Sequence, residues 1–290
     1  MAKIDVLQPG LFSTIQDFGR LGFLKFGVPQ SGAMDFYAAK MANLILRNKA
    51  DAPVLEITQM GPKLQFSAPT EIAIAGADLS PKINGRQIEN ISVFKVVAGE
   101  TLSFGRRKNG CRAYLAVKNG FDSELLMNSK SWYNGLTENF KLEKGMALPY
   151  APFEEKELST HSSVRFISDY IVSKSIMAYP GPEYNQLCDA QKALLMETGY
   201  TIGKDNNRMA IQMMEPLVND LEPIITGPVL PGTVQLTPSG KLIVLMRDCQ
   251  TTGGYPRILQ LSENGINCLA QKVAGEKIKF VVEELEKVHK

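Results

Sequence analysis

At 290 residues, 44% of them hydrophobic and 21% charged, the chain has the make-up of a soluble globular protein with room for one large domain or two of ordinary size. A net charge of +2 gives no bulk electrostatic reason to bind nucleic acid or an acidic membrane. No apolar run approaches the roughly 20 residues that cross a bilayer, and MAKIDVLQPGLFS at the start lacks the basic and apolar regions of a secretory signal, so a cytoplasmic protein is expected.

The first informative stretch is IQDFGRLGFLKFGVPQSGAMD (residues 15–35). It has no hydrophobic period, yet it gathers Gln16, Asp17, Arg20, Ser31 and Asp35 among glycines, as a loop that shapes a rim or a site would. Arg20 carries a planar fork suited to a carboxylate or phosphate. Asp35 either belongs to this polar wall or caps the helix predicted next, FYAAKMANLILRN, which places Ala38, Met41, Ala42 and Ile45 on one face.

Short strands follow. EIAIAG (71–76) reads as a buried strand, and PKINGRQI (81–88) as a hairpin turning at Asn84-Gly85, a pair that accepts positive φ at both positions. VFKVV, TLSFG and RAYLAV come at close intervals, the spacing of a β-barrel or sandwich. RRKNGCR (106–112) reads as a solvated hairpin tip centred on Asn109-Gly110. SVFK (92–95) matches S-x-x-K but lies in a strand-like run, which argues against a Ser-Lys nucleophile.

YAPFEEKELSTHSS (150–163) is polar and linker-like, and it separates an N-terminal domain, 1–158, from a C-terminal domain, 159–290. YNQLCDAQKALLMETG (184–199) predicts a second helix with Leu187, Ala190 and Leu194 along it and Gly199 as its stop. The halves also share order. A helix leads to EITQMGP and then VAGETLSF in the first, and a helix leads to AIQMMEP and then VAGEKIKF in the second. This weak duplication predicts two related β-barrels, each with a short covering helix. Two polar runs stand out in the second half. KDNNRMA (204–210) crowds Asn207 and Arg208 into a turn. In LMRDCQTTGGYP (245–256) an apolar strand delivers Arg247, Asp248, Gln250, Thr251 and Thr252, and then Gly253, Gly254 and Tyr255, to its end; the glycines permit close backbone approach.

Several chemistries are absent from the pattern. There is no P-loop and no G-x-G-x-x-G opening a helix. The four cysteines are scattered, as reduced thiols would be, and only His161 and His289 exist, which argues against a histidine metal site or a Ser-His-Asp triad.

VLQPGLFSTIQDFGRLGFLKFGVPQSGAMD, NNRM and VLMRDCQTTGGYPRI together resemble the signatures of the carboxyltransferase C/D-subunit family, also called allophanate hydrolase subunit 2 or KipA-like. The resemblance runs from Val6 to AGEKIKF near the end of the chain. It implies a mainly β fold of two cyclophilin-like β-barrels. It also implies the role of the C subunit in an ATP-dependent 5-oxoprolinase, which opens 5-oxoproline to L-glutamate together with a LamB/YcsF-like A and a KipI-like B subunit. ATP with Mg2+ would be a cosubstrate of the complex. Arg20, Arg208 and Arg247 would then stabilise developing charge, while Asp17 or Asp248 would handle protons or a nucleotide-bound metal, making Asp17, Arg20 and Asp248 the expected catalytic residues. Gln16, Ser31, Asp35, Asn207, Arg208, Arg247 and the run 250–255 would bind substrate or nucleotide. Two other roles fit the family: a biotin-dependent carboxyltransferase component acting on a urea-like substrate, with biotin carried elsewhere because this chain has no Ala-Met-Lys-Met motif, or a non-enzymatic antagonist of a KipI-like kinase inhibitor. The chain departs from the family in two runs. NSKSW (128–132) has Lys130 where an arginine is usual, and NNRMAIQM lacks the usual glycine and second arginine.

Overall fold

The structure is a computed structural model that describes residues 2–151 and 164–283. These residues fall into two units: Met1–Arg20 with Ser31–Ile171, and Leu21–Gln30 with Val172–Lys290. The expected boundary at 158/159, most of the linker-like run, His161 and His289 lie outside the described residues. No helix among the described residues is long and apolar enough to cross a membrane.

The first unit has two antiparallel sheets. One runs β11 (Ala147–Tyr150), β1 (Ala2–Gln8), β4 (Lys63–Phe66), β9 (Thr101–Ser103), β6 (Lys82–Ile83) and β7 (Arg86–Gln87). The other runs β2 (Phe12–Gln16), β3 (Val54–Thr58), β10 (Asn109–Val117), β5 (Thr70–Asp78) and β8 (Phe94–Val96). The side chains of β5 explain how this unit is layered. Successive residues of a strand point to opposite faces, and here the faces differ in bulk. Ile72 and Ile74 enter the core shared by the two sheets, with Ile4, Phe66 and Leu115. Ala73 and Ala75 face the other way, onto α1 (Phe36–Ile45) through Ala38, Ala39 and Ala42. Methyl-sized contacts on both sides let helix and sheet approach closely. At Gly76 even a methyl is too large: a Cβ there would lie 2.5 Å from the Arg112 carbonyl oxygen.

The expected helix face of α1 is buried as read, with Ile45 only partly so, and Asp35 caps it by accepting the Ala38 N–H at 2.9 Å. The hairpin of β6 and β7 turns at Asn84 (φ 48°) and Gly85 (φ 82°), the positive pair the sequence predicts. The Asn109-Gly110 tip is corrected. Both residues belong to β10, where the register against β5 breaks between Asn109 and Ala113, so this pair serves a bulge rather than a turn. A short helix, α2 (Asp169–Val172), closes the unit, and Tyr170 packs edge-on against Tyr37 of α1.

In the second unit a seven-stranded sheet runs β13 (Tyr200–Thr201), β20 (Lys277–Val282), β12 (Ser175–Pro180), β19 (Arg257–Leu261), β16 (Thr233–Leu236), β17 (Leu242–Leu245) and β14 (Ala210–Gln212). Its pairings are antiparallel except β12 with β20. A separate ribbon joins β15 (Gly227–Pro228) to β18 (Thr252–Gly253). The predicted second helix is shorter and rotated from its expected face. It is α3 (Asp189–Glu197), it begins after Leu187, and it buries Leu195, whereas Ala190 and Leu194 are exposed. Its Gln191 side chain accepts the Cys188 N–H, so the chain turns into the helix at Cys188. A helix not read from the sequence, α4 (Glu263–Ala270), is the more buried of the two. Ser262 caps it, and a Cβ on Gly265 would lie 2.3 Å from the Met177 carbonyl oxygen, so glycine sets how closely α4 meets β12.

The repeated V-A-G-E runs form the same turn twice. The Val97 N–H donates to Glu100 Oε2 at 3.0 Å, and the Val273 N–H donates to Glu276 Oε2 at 3.2 Å. The backbone closes each turn, from Glu100 N–H to the Val97 carbonyl and from Glu276 N–H to the Val273 carbonyl. Gly99 and Gly275 sit at φ 88° and 87°.

Candidate functional site

In the first unit the opening polar run folds around one carboxylate. Gln16 ends β2 fully buried, and its amide donates to Thr14 Oγ1 at 3.2 Å and to the Trp132 carbonyl at 3.0 Å. The Ser31 hydroxyl donates to Gln16 Oε1 at 3.5 Å. The next residue, Asp17, is the centre. Its Oδ1 accepts from Gly19 N–H (2.7 Å), Ser129 Oγ (2.7 Å) and Ser131 Oγ (2.6 Å), and its Oδ2 accepts from Lys130 N–H (2.6 Å). The Asp17 N–H donates back to Ser131 Oγ at 3.0 Å, and Arg20, fully buried, donates through Nη2 to the Ser131 carbonyl. Gln16, Asp17, Arg20 and Ser31 are therefore brought together, and residues 129–132 close over them.

The departure at Lys130 has a plain structural meaning. Position 130 reaches Asp17 through its backbone N–H, which any residue but proline supplies, while the Lys130 side chain pairs with Asp122 at 3.2 Å. Ser129 and Ser131 are the partners that sequence reasoning missed. They lie in the NSKSW run noted in the sequence, but they stand more than a hundred residues from Asp17 and nothing in the sequence ties the two together.

Asp35 faces a second buried network. Its Oδ1 caps α1, its Oδ2 accepts the Tyr170 hydroxyl at 2.6 Å, and its N–H donates to the Tyr114 hydroxyl oxygen at 2.8 Å. Tyr114 in turn donates to Glu56 Oε2 at 2.9 Å, which also accepts the Met34 N–H at 2.7 Å. Arg112 Nε lies 3.8 Å from Glu56 Oε1. Burial pushes the Tyr114 hydroxyl well above its ordinary pKa, and the Glu56 and Asp35 charges add to the shift, so it stays a neutral donor. Glu56 and Tyr114 were missed by the sequence reading, although a glutamate in the middle of VLEIT was a visible signal.

In the second unit the two polar runs meet at one ion pair. Arg208 forks onto Asp248, with Nε to Oδ2 at 2.8 Å and Nη2 to Oδ1 at 2.9 Å, and the Asp248 N–H donates to the Arg208 carbonyl at 2.9 Å. Asn207 serves its own turn, accepting the N–H groups of Met209 (2.7 Å) and Ala210 (3.1 Å). Arg247 turns elsewhere, to Glu263 at the start of α4. Burial, with the Asp248 charge beside it, pushes the Cys249 thiol up to about 12, so it is no nucleophile at neutral pH.

Beyond the pair, Thr252 and Gly253 form β18, and a Cβ on Gly253 would lie 2.4 Å from Gln235 Nε2. Thr251 and Gly254 are half-buried, and their carbonyls accept the N–H groups of Val229 and Ile224. Gln250, Thr252 and Tyr255 are exposed, and their side chains make no hydrogen bond among the described residues. A second fork, missed in the sequence, joins Arg257 to Glu183, with Nε to Oε2 at 2.9 Å and Nη2 to Oε1 at 2.8 Å. It holds the Glu183 carboxyl below its ordinary pKa.

Chemically, the acids expected to act are already engaged, Asp17 by four neutral donors and Asp248 by a guanidinium. The groups that remain outward are the amide of Gln250 and the hydroxyls of Thr252 and Tyr255. Such a set suits recognition of a small polar molecule through neutral hydrogen bonds.

Comparison with known proteins gives this geometry a context. Residues 26–282 match the family model described as carboxyltransferase domain, subdomain A and B. The chain is 32% identical over 295 residues to the C subunit of 5-oxoprolinase from Escherichia coli, covering 99% of this chain and 93% of that protein. Among solved structures, TTHA0988 superposes with a TM-score of 0.84 at 25% identity over 97% of this chain and 55% of that one, so the present chain spans about half of its length. The urea carboxylase of Kluyveromyces lactis superposes with a TM-score of 0.85 at 26% identity, over 97% of this chain and 27% of that one.

Proposed function

The chain belongs to the family of carboxyltransferase domains, subdomains A and B, and from that premise we propose that it is the C subunit of an ATP-dependent 5-oxoprolinase. Its mainly β architecture is that of two cyclophilin-like units. The observation that carries the proposal is the extent of the match: nearly all of this chain aligns with nearly all of a 5-oxoprolinase C subunit, so the likeness spans both units and all three polar runs.

In this reading the chain works in a complex with a LamB/YcsF-like A and a KipI-like B subunit. ATP with Mg2+ is the cosubstrate of the assembly. Opening 5-oxoproline to L-glutamate requires the lactam carbonyl to be held and polarised while its oxygen gains charge. Gln250, Thr252 and Tyr255 supply outward donors for that task, on a run whose backbone is fixed by β18. Asp17 and Arg20 hold the opening loop, and the Arg208–Asp248 pair holds the turn ahead of residues 250–255. We assign these four positioning roles. The chain carries no P-loop, so any nucleotide contact uses a different cradle on this chain or lies mainly on a partner subunit.

The test is 5-oxoproline-dependent ATP hydrolysis and glutamate release by the three purified chains, each omitted in turn, with Thr252→Ala and Tyr255→Phe in parallel. Glutamate should appear only when all three chains are present, and each variant should lower the rate about tenfold, as the loss of one hydrogen bond used in the transition state does. A well-formed complex without activity would sink the reading in favour of carboxyl transfer, the chemistry for which the family is described.

A further inference from the structure

The chain contains five Asn-Gly pairs, at 84–85, 109–110, 119–120, 134–135 and 264–265. Such a pair carries its own chemistry. The glycine nitrogen, uncrowded for want of a Cβ, can attack the asparagine side-chain carbonyl carbon. The new C–N bond closes a five-membered succinimide, and the amide leaves as ammonia. Water then opens the ring at either carbonyl to give aspartate or isoaspartate, so the net change is one water consumed and one ammonia released, with no oxidant or reductant. A fold suppresses the reaction by tying down either reacting group.

Four of the five pairs are tied down. Asn84 donates to Glu100 Oε1 at 3.0 Å and accepts the Thr101 N–H at 2.9 Å. Asn109 accepts the Asp78 N–H at 3.2 Å and lies within β10. The Gly120 N–H is committed to the Val117 carbonyl at 2.9 Å. The Gly265 N–H is committed to Ser262 Oγ at 3.0 Å, inside α4.

Asn134-Gly135 shares its exposure and its positive-φ glycine with Asn84-Gly85 but not the hydrogen bonds that hold Asn84. Both residues are exposed, and neither the Asn134 side chain nor the Gly135 N–H makes a hydrogen bond among the described residues. They occupy the middle of a turn closed by Leu136 N–H to the Tyr133 carbonyl at 3.2 Å, with Gly135 at φ 82° and nothing within 4 Å of a Cβ built on it. We infer that Asn134 is the self-modification site of this chain, where spontaneous deamidation converts a neutral amide into a carboxylate or an isoaspartyl linkage.

The position gives the change a consequence. Trp132, two residues earlier, donates its N–H to the Ile15 carbonyl at 2.9 Å and accepts Gln16 through its own carbonyl. It ends the segment that closes over Asp17. An isoaspartyl linkage at Asn134 adds a methylene to the backbone just beyond that anchor and loosens the closure.

The test uses the full-length folded protein, incubated in mildly alkaline buffer and mapped by peptide mass. Deamidation adds about 1 Da to the affected peptide. A parallel sample is held in denaturant. In the folded protein the Asn134 peptide should convert at least about tenfold faster than the other four, because those react only through local opening. In denaturant the five should converge. Isoaspartate labelling of the folded protein by a methyltransferase should disappear in Asn134→Gln. Another pair leading in the folded state, five equal rates there, or labelling that survives Asn134→Gln would overturn the inference.

Discussion

Asp17 and Asp248 are both carboxylates just past the end of a strand, and the two units satisfy them in opposite ways. Asp17 accepts four hydrogen bonds from two hydroxyls and two backbone N–H groups. Asp248 takes its side-chain bonds from one guanidinium in a planar fork. The first arrangement spreads the stabilisation of one charge over a loop closure. The second concentrates it in a pair whose members depend on each other. Residues that look alike in a sequence thus do different physical work, and the two respond differently to mutation.

The largest effect is expected at Asp17. Asp17→Ala removes the acceptor for four donors at once and leaves two serine hydroxyls and two backbone N–H groups in a half-buried loop. A stability loss of about 3 kcal/mol should follow, read from the shift of a urea transition at unchanged slope. Asp17→Asn keeps one acceptor oxygen and should lose about half as much. A loss under about 1 kcal/mol in Asp17→Ala would show that the loop holds without its carboxylate.

The pair in the second unit should reveal itself by coupling. Arg208→Ala and Asp248→Ala each strip the partner of a nearly buried charge, whose side chains are 8% and 13% exposed, at about 2 kcal/mol apiece. The double variant should cost less than the sum, with a coupling of about 1–2 kcal/mol. Ser129→Ala with Ser131→Ala is the matching cycle in the first unit, and it should show weaker coupling because the two hydroxyls donate to the same Asp17 oxygen rather than to each other. Equal coupling in the two cycles would erase the distinction.

Acid tests the second fork. The Arg257 hydrogen bond holds the Glu183 carboxyl below its ordinary value of 4.5. A depressed folded-state pKa contributes stability that is fully present above the unfolded value and lost as pH falls through the folded one. Stability measured from pH 6 downward should therefore fall less steeply below about 4.5 in Glu183→Gln than in the parent chain. Parallel slopes would mean that the fork carries no proton linkage.

What was legible in the sequence was local. The Asn84-Gly85 hairpin, the buried face of α1 and the capping by Asp35 depend on neighbours within a few residues, and each was readable from them. The polar character of the opening run was also readable, but its partners were not, because Ser129 and Ser131 reach Asp17 across more than a hundred residues and a single sequence holds no record of that pairing. The bulge at Asn109-Gly110 misled because a pair that accepts positive φ suits a bulge as well as a turn. The face of α3 misled because the helix starts only after Leu187, so Leu187 does not extend its stripe and the buried leucine is Leu195 rather than Leu194. α4 escaped because it is short and includes Asn264, Gly265 and Asn267, poor helix formers that Ser262 capping and burial against β12 outweigh.

The duplicated V-A-G-E turns offer the finest comparison, since the same four residues close the same turn with the same bonds in both units. Glu100→Ala removes a carboxylate that accepts the Val97 N–H at a half-exposed turn and the exposed Asn84 amide, and a loss of about 0.5–1 kcal/mol is expected from thermal or urea unfolding. Glu276→Ala removes the same turn bond and, in place of the exposed Asn84 contact, a charge that acts on a buried amine. Lys272 is only 4% exposed, burial pulls its pKa below the ordinary lysine value, and the Glu276 charge acts against that pull. The second substitution should therefore cost more than the first, and Lys272→Met should bring the two losses level by removing the buried charge. Equal losses in the parent background would mean that the repeat conserves only a turn. Unequal losses that Lys272→Met levels would mean that one copy of the turn has been recruited to hold a buried amine, which is how a duplicated element acquires a task its twin does not have.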